Sequence, residues 1–443
     1  MLRFAPSPTG YLHAGNLRVA ILNYFFAKKN NLEFFLRVDD TDQDRSEKKY
    51  VDSIIEDLNW LGIEYKKIVK QSERFSKYTD VFNFLKKKEF IYPCFETSEE
   101  LSLKRKVQLK MGKPPIYDRS SLKLSKEKIK EFIKSGQKPH WRLKLDNEPI
   151  NWKDLIHGKI SFNNLSVSDP VVFRSDEMPL FTITSVVDDI EFNVTHILRG
   201  DDHITNTAAQ IKLFKYLDAN VPEFGHFPLI QSKSGSSLSK RDNSLSIKEF
   251  KEKNIFPIVL LNYLNKIGTS NSLESLDSIE ILLDKFSFSN FSKSSVLFNF
   301  DEIIRLNAKY IKTLNHKSIN NFSKKSLDEN FWKIIKNNIN SVEEVEEWFE
   351  IIYGKVNFSE KISIEKNLIN DLKEKLPKKL DLNAWSFWIE EIKKTSNIKP
   401  KELFKMIRFI LTGKNYGPSM DQLLSLFDRE EVLRRIVSNC EQK

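Results

Sequence analysis

RFAPSPTGYLHAGNLR, residues 3 to 18, carries a change of local character from strand to helix, and the architecture is read from it. Residues 2 to 5 form a short apolar run that Pro6, Ser7, Pro8, Thr9 and Gly10 close, which predicts a buried strand ending in a tight turn. Leu17, Ala20, Ile21, Tyr24 and Phe25 then recur at helical spacing, the stripe of a helix packed on a sheet. Leu32 to Val38 is strand-like again. Strand, turn, helix, strand opens a doubly wound α/β domain, in which ligands sit beyond the carboxyl ends of the strands. The turn itself has the physics of an anion site: backbone N–H groups and the positive end of the helix dipole face outward, and His13 with Gly15 leaves room for a phosphate or adenine.

Outward from this opening, 443 residues exceed what one core usually organises, so two to four domains are expected. Hydrophobic residues make up 40% and charged residues 30%, and no apolar run approaches the roughly 18 residues of a membrane span. The start, Met-Leu-Arg-Phe-Ala-Pro, lacks the apolar segment of a secretory signal, and Cys94 and Cys440 are too few for a disulfide framework; a reducing cytoplasm is the expectation. A formal charge of +10 suits a nucleic-acid partner, although a Lys-, Asn- and Ile-rich composition accounts for it equally well. Residues 86 to 190 mix basic helical patterns such as Leu101 to Lys110 with strand-like Trp141 to Leu145 and read as an insertion. Val194 to Leu198 and Phe227 to Ile230 bring the α/β pattern back. After a Ser/Gly stretch at 232 to 239, helical stripes take over: Val342, Val345, Trp348, Phe349 and Ile352, then Leu403, Met406, Ile407, Ile410 and Leu411 with Gly413 as a stop. The last third is expected to be all-helical.

A second constellation, SSLSKRDN at 236 to 243, places Lys240 and Arg241 in that Ser/Gly stretch. Alone, a His-x-Gly at a helix start or a Lys-Arg pair in a loop is common. Together, more than two hundred residues apart, His13-Ala14-Gly15-Asn16 and Leu238-Ser239-Lys240-Arg241 resemble the two motifs of class I aminoacyl-tRNA synthetases. FLRVDDTDQDRS (35 to 46), QSERF (71 to 75), YPCFETSEEL (92 to 101), YDRS (117 to 120), VVDD (186 to 189) and HILRGDDHITNTAAQI (196 to 211) resemble glutamyl-tRNA synthetases in the same order. FDEIIRLNAKYI (300 to 311) and IRFILTGKNYGPSMDQLLSLF (407 to 427) are similar to that family's stem-contact and anticodon-binding parts.

The resemblance implies a Rossmann-like α/β catalytic domain at 1–85 and 191–235, an inserted acceptor-binding α+β domain at 86–190, a stem-contact domain at 236–315 and a helical anticodon-binding domain at 316–443. It implies ATP-dependent activation of L-glutamate and its transfer to the terminal adenosine of tRNA(Glu), with tRNA(Gln) as an additional or alternative acceptor, by a monomer. Activation is mainly positioning and charge neutralisation around the α-phosphorus. His13, Lys240 and Arg241 take the catalytic roles, and Gly15, Asn16, Leu238 and Ser239 join His13 and Lys240 around ATP, whose Mg²⁺ is held by phosphate and water. Arg3 and Arg199 suit carboxylates, because the guanidinium fork binds them bidentately, and Asp39 suits the ammonium. Ala5, Ser7 and Phe181 complete the amino-acid pocket, and Gly200, Asp201, Asp202, His203 and Asn206 are expected to bound the same cleft.

Several positions depart from the family pattern. Asp39 replaces the usual Glu, Phe181 stands where a tyrosine is expected, and Ser237 occupies a common lysine position. Some relatives bind zinc in the insertion through several cysteines; here Cys94 is isolated and Glu96 replaces one of them, so no zinc is expected. Three competing readings are an RNA-binding paralogue of weak activity, an enzyme that glutamylates a modified tRNA base, and a glutaminyl-tRNA synthetase. Residues 320 to 443 argue against the second, whose members lack that region, and against the third, which carries β-barrels there.

Overall fold

The computed structural model describes residues 1–443 except 147, 164–167, 233–245, 275, 357, 359–360 and 443. They fall into two compact units, Met1–Glu252 with Phe256–Asn299, and Lys253–Ile255 with Phe300–Lys443. The division expected after residue 315 lies one helix further along the chain than the division at Asn299/Phe300.

The first unit opens with β1 (Leu2–Phe4), α1 (Ala14–Lys29), β2 (Phe34–Val38), α2 (Lys48–Trp60), β3 (Ile68–Lys70) and α3 (Phe75–Lys87). Next come β4 (Ile91–Cys94), α4 (Ser98–Lys110), α5 (Lys126–Lys134), β5 (His140–Leu143), β6 (Ile150–Asp154), β7 (Gly158–Phe162) and β8 (Val171–Phe173). It continues through α6 (Phe181–Glu191), β9 (His196–Gly200), α7 (Ile204–Tyr216), β10 (Glu223–Phe227), β11 (Ile230–Gln231), α8 (Ile247–Glu252), α9 (Pro257–Lys266), α10 (Ile279–Lys285) and β12 (Val296–Leu297).

β1, β2 and β3 are parallel, as are β9, β10 and β6. Thr195 N donates to Met1 O (3.1 Å), which sets the start of β9 against the free side of β1. The carboxyl ends of β1 and β9 therefore flank a point where the chain order reverses, the place where such sheets bind ligands. α1 is buried beyond its predicted stripe: Arg18 and Asn23 are covered too, because the helix packs on β1, β9 and α9 together.

The 86–190 stretch is more entangled than its composition suggests. β4, β5 and β8 form their own antiparallel sheet, but the β6–β7 hairpin joins β10 and so extends the sheet of β9. One hydrophobic cluster runs through both parts, from Phe35 and Phe82 through Trp141 and Val172 to Phe214 and Phe224. Local periodicity does not report such a pairing, since Asp154 and its partner Phe224 are far apart in the chain.

The second unit comprises α11 (Phe300–Thr313), α12 (His316–Asn320), α13 (Glu329–Ile335), α14 (Val342–Tyr353), β13 (Ile362–Ile364), α15 (Lys366–Glu374), α16 (Ala384–Lys393), α17 (Pro400–Thr412), α18 (Met420–Leu424), α19 (Arg429–Ser438) and β14 (Cys440–Gln442). Trp348, Trp388 and Ile407 anchor its core. α17 begins with Pro400 in its first turn and ends at Gly413, whose φ of 66° suits a residue without Cβ. Among the described residues the unit's regular structure is helical apart from the parallel β13–β14 pair, which no periodicity predicts.

Candidate active site

A cavity of about 440 Å³ opens at the carboxyl ends of β1 and β9, within the size range of small-ligand sites. β1 and the turn after it contribute Arg3, Ala5 and Pro6; α1 contributes His13, Gly15, Asn16 and Arg18 from its first turns. Arg37, Phe181, Arg199, Asp202 and His203 complete the polar and aromatic lining, with Pro228, Leu229 and Ile230 on the far side. Among the described residues, Arg3, Arg18, Arg37 and Arg199 line the cavity with one carboxylate, Asp202, although the Arg18 guanidinium is engaged by Pro228 O and Ile267 O, both at 2.8 Å.

His13 is the N-cap of α1, and its Nδ1 accepts from Gly15 N (3.1 Å) and Asn16 N (3.4 Å). Two of the amides expected to face a ligand are thus held by the histidine, which in its neutral form carries its proton on Nε2. A Cβ at Gly15 would stand 3.0 Å from the His13 ring, so a larger residue there would require the ring to give way by a few tenths of an ångström.

One wall is a buried charge network. Arg3 donates through Nε and Nη2 to Asp189 (2.9 and 3.2 Å). Arg37 donates to both oxygens of Asp39 (2.6 and 3.0 Å) and, through Nη1, to Asp189 (3.0 Å). Behind them Asp188 accepts from Gln71, Arg74 and Tyr78 at 2.7 to 3.1 Å. Burial disfavours the Arg37 charge, but Asp39, Asp189 and Asp188 more than offset it and hold the guanidinium protonated.

The opposite wall holds Arg199, 6% exposed, in neutral company. Its Nη2 donates to Thr207 Oγ1 and Gln210 Oε1, both at 2.6 Å, and buried Nη1 has no partner among the described residues. Burial, reinforced by the nearby charge of Arg3, lowers the Arg199 pKa to about 9. Burial and then Arg199 push His203 down to about 4, so its ring is neutral at ordinary pH.

Of the expected pocket residues, Arg3, Ala5, His13, Gly15, Asn16, Phe181 and Arg199 line this cavity together with Gly200, Asp202 and His203. Ser7 is exposed, and Ser7, Asp39, Asp201 and Asn206 stand outside the lining. Phe181, at the start of α6, lies 5.4 Å from the His203 ring. Leu238, Ser239, Lys240 and Arg241 lie outside the described residues, as does Ser237. Their described neighbours are at the cavity: Ile230 lines it, and Ser246 forms a backbone bridge with His13. Sequence reading assigned nothing to Arg18, Arg37, Asp154, Thr207, Gln210 or His226. For Arg37 a signal was present, a charge between Leu36 and Val38 in an otherwise apolar strand.

In the 86–190 stretch, Cys94, Glu96 and His140 bring one candidate ligand atom each within 4.8 Å. His140 stands opposite Cys94 across the β4–β5 ladder, a pairing invisible in sequence. The set does not fit a structural zinc, which takes four ligands. The Glu96 carboxylate is already engaged by the hydroxyls of Tyr117 (2.7 Å), Ser120 (2.7 Å) and Ser121 (2.9 Å).

Residues 1–304 match the family described as tRNA synthetases class I (E and Q), catalytic domain, and residues 301–439 match an anticodon binding domain. A protein of Wolbachia sp. subsp. Brugia malayi named glutamate–tRNA ligase 1 is 42% identical over 440 residues, covering 98% of this chain and 99% of its own. A protein of the same name from Rickettsia massiliae is 40% identical, with 98% of each chain covered. In fold, the chain is similar to a crystallised glutamate tRNA ligase from Elizabethkingia meningosepticum, with a TM-score of 0.84 at 24% identity over 98% of each chain.

Proposed function

The chain belongs to the class I tRNA synthetases as a glutamate–tRNA ligase, and from that membership we propose that the cavity between β1 and β9 is where L-glutamate meets ATP. The carrying observation is Arg199, whose buried Nη1 has no partner among the described residues, in a cavity that Arg3 also lines and whose described lining includes one carboxylate, Asp202; this suits an anionic substrate such as a dicarboxylate. A glutamate carboxylate attacks the α-phosphorus of ATP and pyrophosphate leaves; a hydroxyl of the terminal adenosine of tRNA(Glu) then attacks the carbonyl of the glutamyl-adenylate, and AMP leaves as the ester forms. Arg199 offers Nη1, and Arg3 offers the guanidinium edge that Asp189 does not use. Asp39 takes the ammonium: each of its oxygens accepts one Arg37 N–H, which leaves a lone pair on each. Ala5, Ser7 and Phe181 bound the amino acid.

His13, Gly15, Asn16, Leu238, Ser239 and Lys240 surround ATP, with Arg241 beside Lys240. The His13–Ser246 bridge supports this reading, because it tethers the chain just beyond 233–245 to the start of α1. Mg²⁺, which class I synthetases use with ATP, neutralises phosphate charge and is held by phosphate oxygens and water. The match of 301–439 to an anticodon binding domain speaks against the shorter base-modifying relatives. The enzyme works as a cytoplasmic monomer in this reading; no helix among the described residues is long and apolar enough to cross a membrane.

Purified protein, ATP, Mg²⁺ and labelled glutamate should charge transcribed tRNA(Glu), and a parallel reaction with transcribed tRNA(Gln) establishes whether that acceptor is used as well or instead. Failure to label either RNA overturns the reading. Lys240→Ala should slow AMP formation in the presence of tRNA about a hundredfold, as the loss of a charge-stabilising donor does elsewhere, with little change in tRNA affinity. Equal losses in both would remove that residue from the ATP site.

A further inference from the structure

We propose that Asp154, His226 and Thr207 form a positioning relay that aims Arg199 at a substrate carboxylate; the proposal rests on the glutamate-binding reading of Arg199. The relay begins on the β6–β7 hairpin, outside the strands that carry the cavity. Asp154 ends β6 and is fully buried at its side chain. Its Oδ1 accepts from Ile156 N (2.9 Å), His157 N (3.0 Å) and His226 N (3.3 Å), and its Oδ2 lies 2.5 Å from His226 Nδ1. With the carboxylate pinned by amides, Nδ1 is the donor and Nε2 the acceptor of that ring. Burial, which pushes His226 below its ordinary pKa, keeps the ring neutral in this arrangement.

Nε2 stands 2.8 Å from Thr207 Oγ1, closer than the other acceptor within reach, His203 O (3.2 Å), so the hydroxyl donates to the ring and turns a lone pair to Arg199 Nη2 (2.6 Å). The second Nη2 hydrogen goes to Gln210 Oε1 (2.6 Å), and Gln210 is itself anchored by its amide on Ser185 Oγ (2.7 Å). Two fixed points define the guanidinium plane. Both Nη2 hydrogens are spent inside the protein, whereas Nη1, without a partner among the described residues, keeps both of its own for a ligand. None of these partners is a carboxylate in contact with Arg199, so the plane is set without neutralising the charge. A proton on Nε2 would reverse the logic, because it would take the Thr207 oxygen as its own acceptor (2.8 Å) and leave Arg199 Nε facing a donor across 3.5 Å. Asp154 prevents this by claiming the Nδ1 proton.

The test is steady-state aminoacylation by the full-length enzyme, varying glutamate at saturating ATP and tRNA, then ATP at saturating glutamate. Thr207→Val should raise the glutamate KM about tenfold, as loss of a hydrogen bond to a charged group does, and leave the ATP KM within about twofold. Thr207→Ser, which keeps the hydroxyl, should bring the glutamate KM back toward the parent value. His226→Asn, which retains an amide N–H for Asp154 but has no acceptor at the Nε2 position, should reproduce the Thr207→Val effect and carries the test if that variant does not fold. Equal KM values for Thr207→Val and Thr207→Ser, or parallel rises in both KM values, overturn the relay. Arg199→Ala separates the two levels. An unmoved glutamate KM there defeats the pocket reading itself, whereas a raised one beside a normal Thr207→Val defeats the relay alone.

Discussion

The two arginine-bearing walls of the cavity solve the burial of a cation in opposite ways. Arg3 and Arg37 sit in a network in which, with Arg74, they face Asp39, Asp188 and Asp189. Arg199 sits among a threonine, a glutamine and a histidine, with one nitrogen unpartnered among the described residues. A buried charge whose partner is removed costs several kcal/mol, so the first wall has much of its interaction energy committed to holding the fold. The second keeps its charge available, and an arriving carboxylate gains what the protein has left unmade. Loss of stability is therefore expected to dominate at the acids behind the first wall, such as Asp188, and loss of binding at Arg199, even though Arg3 and Asp39 of the first wall also present atoms to the substrate.

The largest effect should come from the first wall. Asp188 accepts from Gln71, Arg74 and Tyr78, and its side chain is fully buried. Asp188→Asn should destabilise the first unit by about 3 kcal/mol, the range for breaking one member of a buried charged group, read as a lower urea midpoint. Below that midpoint the glutamate KM should stay within about threefold of the parent. A KM shift without a loss of stability would show that Asp188 serves substrate binding and not the fold.

The second wall should answer in kinetics. Arg199→Lys keeps a positive charge but has no fork to bridge Thr207, Gln210 and a ligand at once. Its glutamate kcat/KM should fall about tenfold, roughly 1.4 kcal/mol, with an unchanged urea midpoint. A midpoint that falls instead would show Arg199 to be structural. A smaller change of opposite sign is expected at Phe181, which lines the cavity without a hydroxyl. Phe181→Tyr adds a donor where a carboxylate is proposed to lie and should lower the glutamate KM about threefold. A higher KM would mean that the ring, packed 5.4 Å from His203, has no room for it.

The contrast also explains which parts of the site could be read from sequence. The opening strand and α1 follow from short-range periodicity, and the resemblance supplied Arg3, His13 and Arg199 as single positions. What those positions lean on is non-local: Arg3 meets Asp189 across 186 residues, and His226 meets Asp154 across 72. VVDD stands out as a pair of acids in an apolar helix, yet its partners in FLRVDD and QSERF become visible only when α6 is laid beside β2 and α3. The β6–β7 hairpin reads as part of an insertion because strand pairing leaves no mark on the composition of either strand. Capping of the Gly15 and Asn16 amides by His13 was equally hidden, since the same motif fits free amides as well as occupied ones.

The smallest predicted effect places the Cys94–Glu96 cluster with the first wall. Burial alone would raise the Glu96 pKa, but hydrogen bonds from Tyr117, Ser120 and Ser121, with the backbone, bring it down to about 2. A carboxyl depressed in the folded state contributes stability above its unfolded pKa and loses it as pH falls toward the folded value. Glu96 should therefore support the 86–190 stretch at neutral pH and progressively less between about pH 4.5 and about pH 2. Glu96→Gln, neutral throughout, should melt slightly below the parent at pH 7, and the gap should narrow as the pH is taken from about 5 to about 3. The glutamate KM should not move, because Glu96 lies outside the cavity lining. A melting gap that is constant over that range would show that hydrogen-bond geometry, not charge, is what the three hydroxyls read at this position.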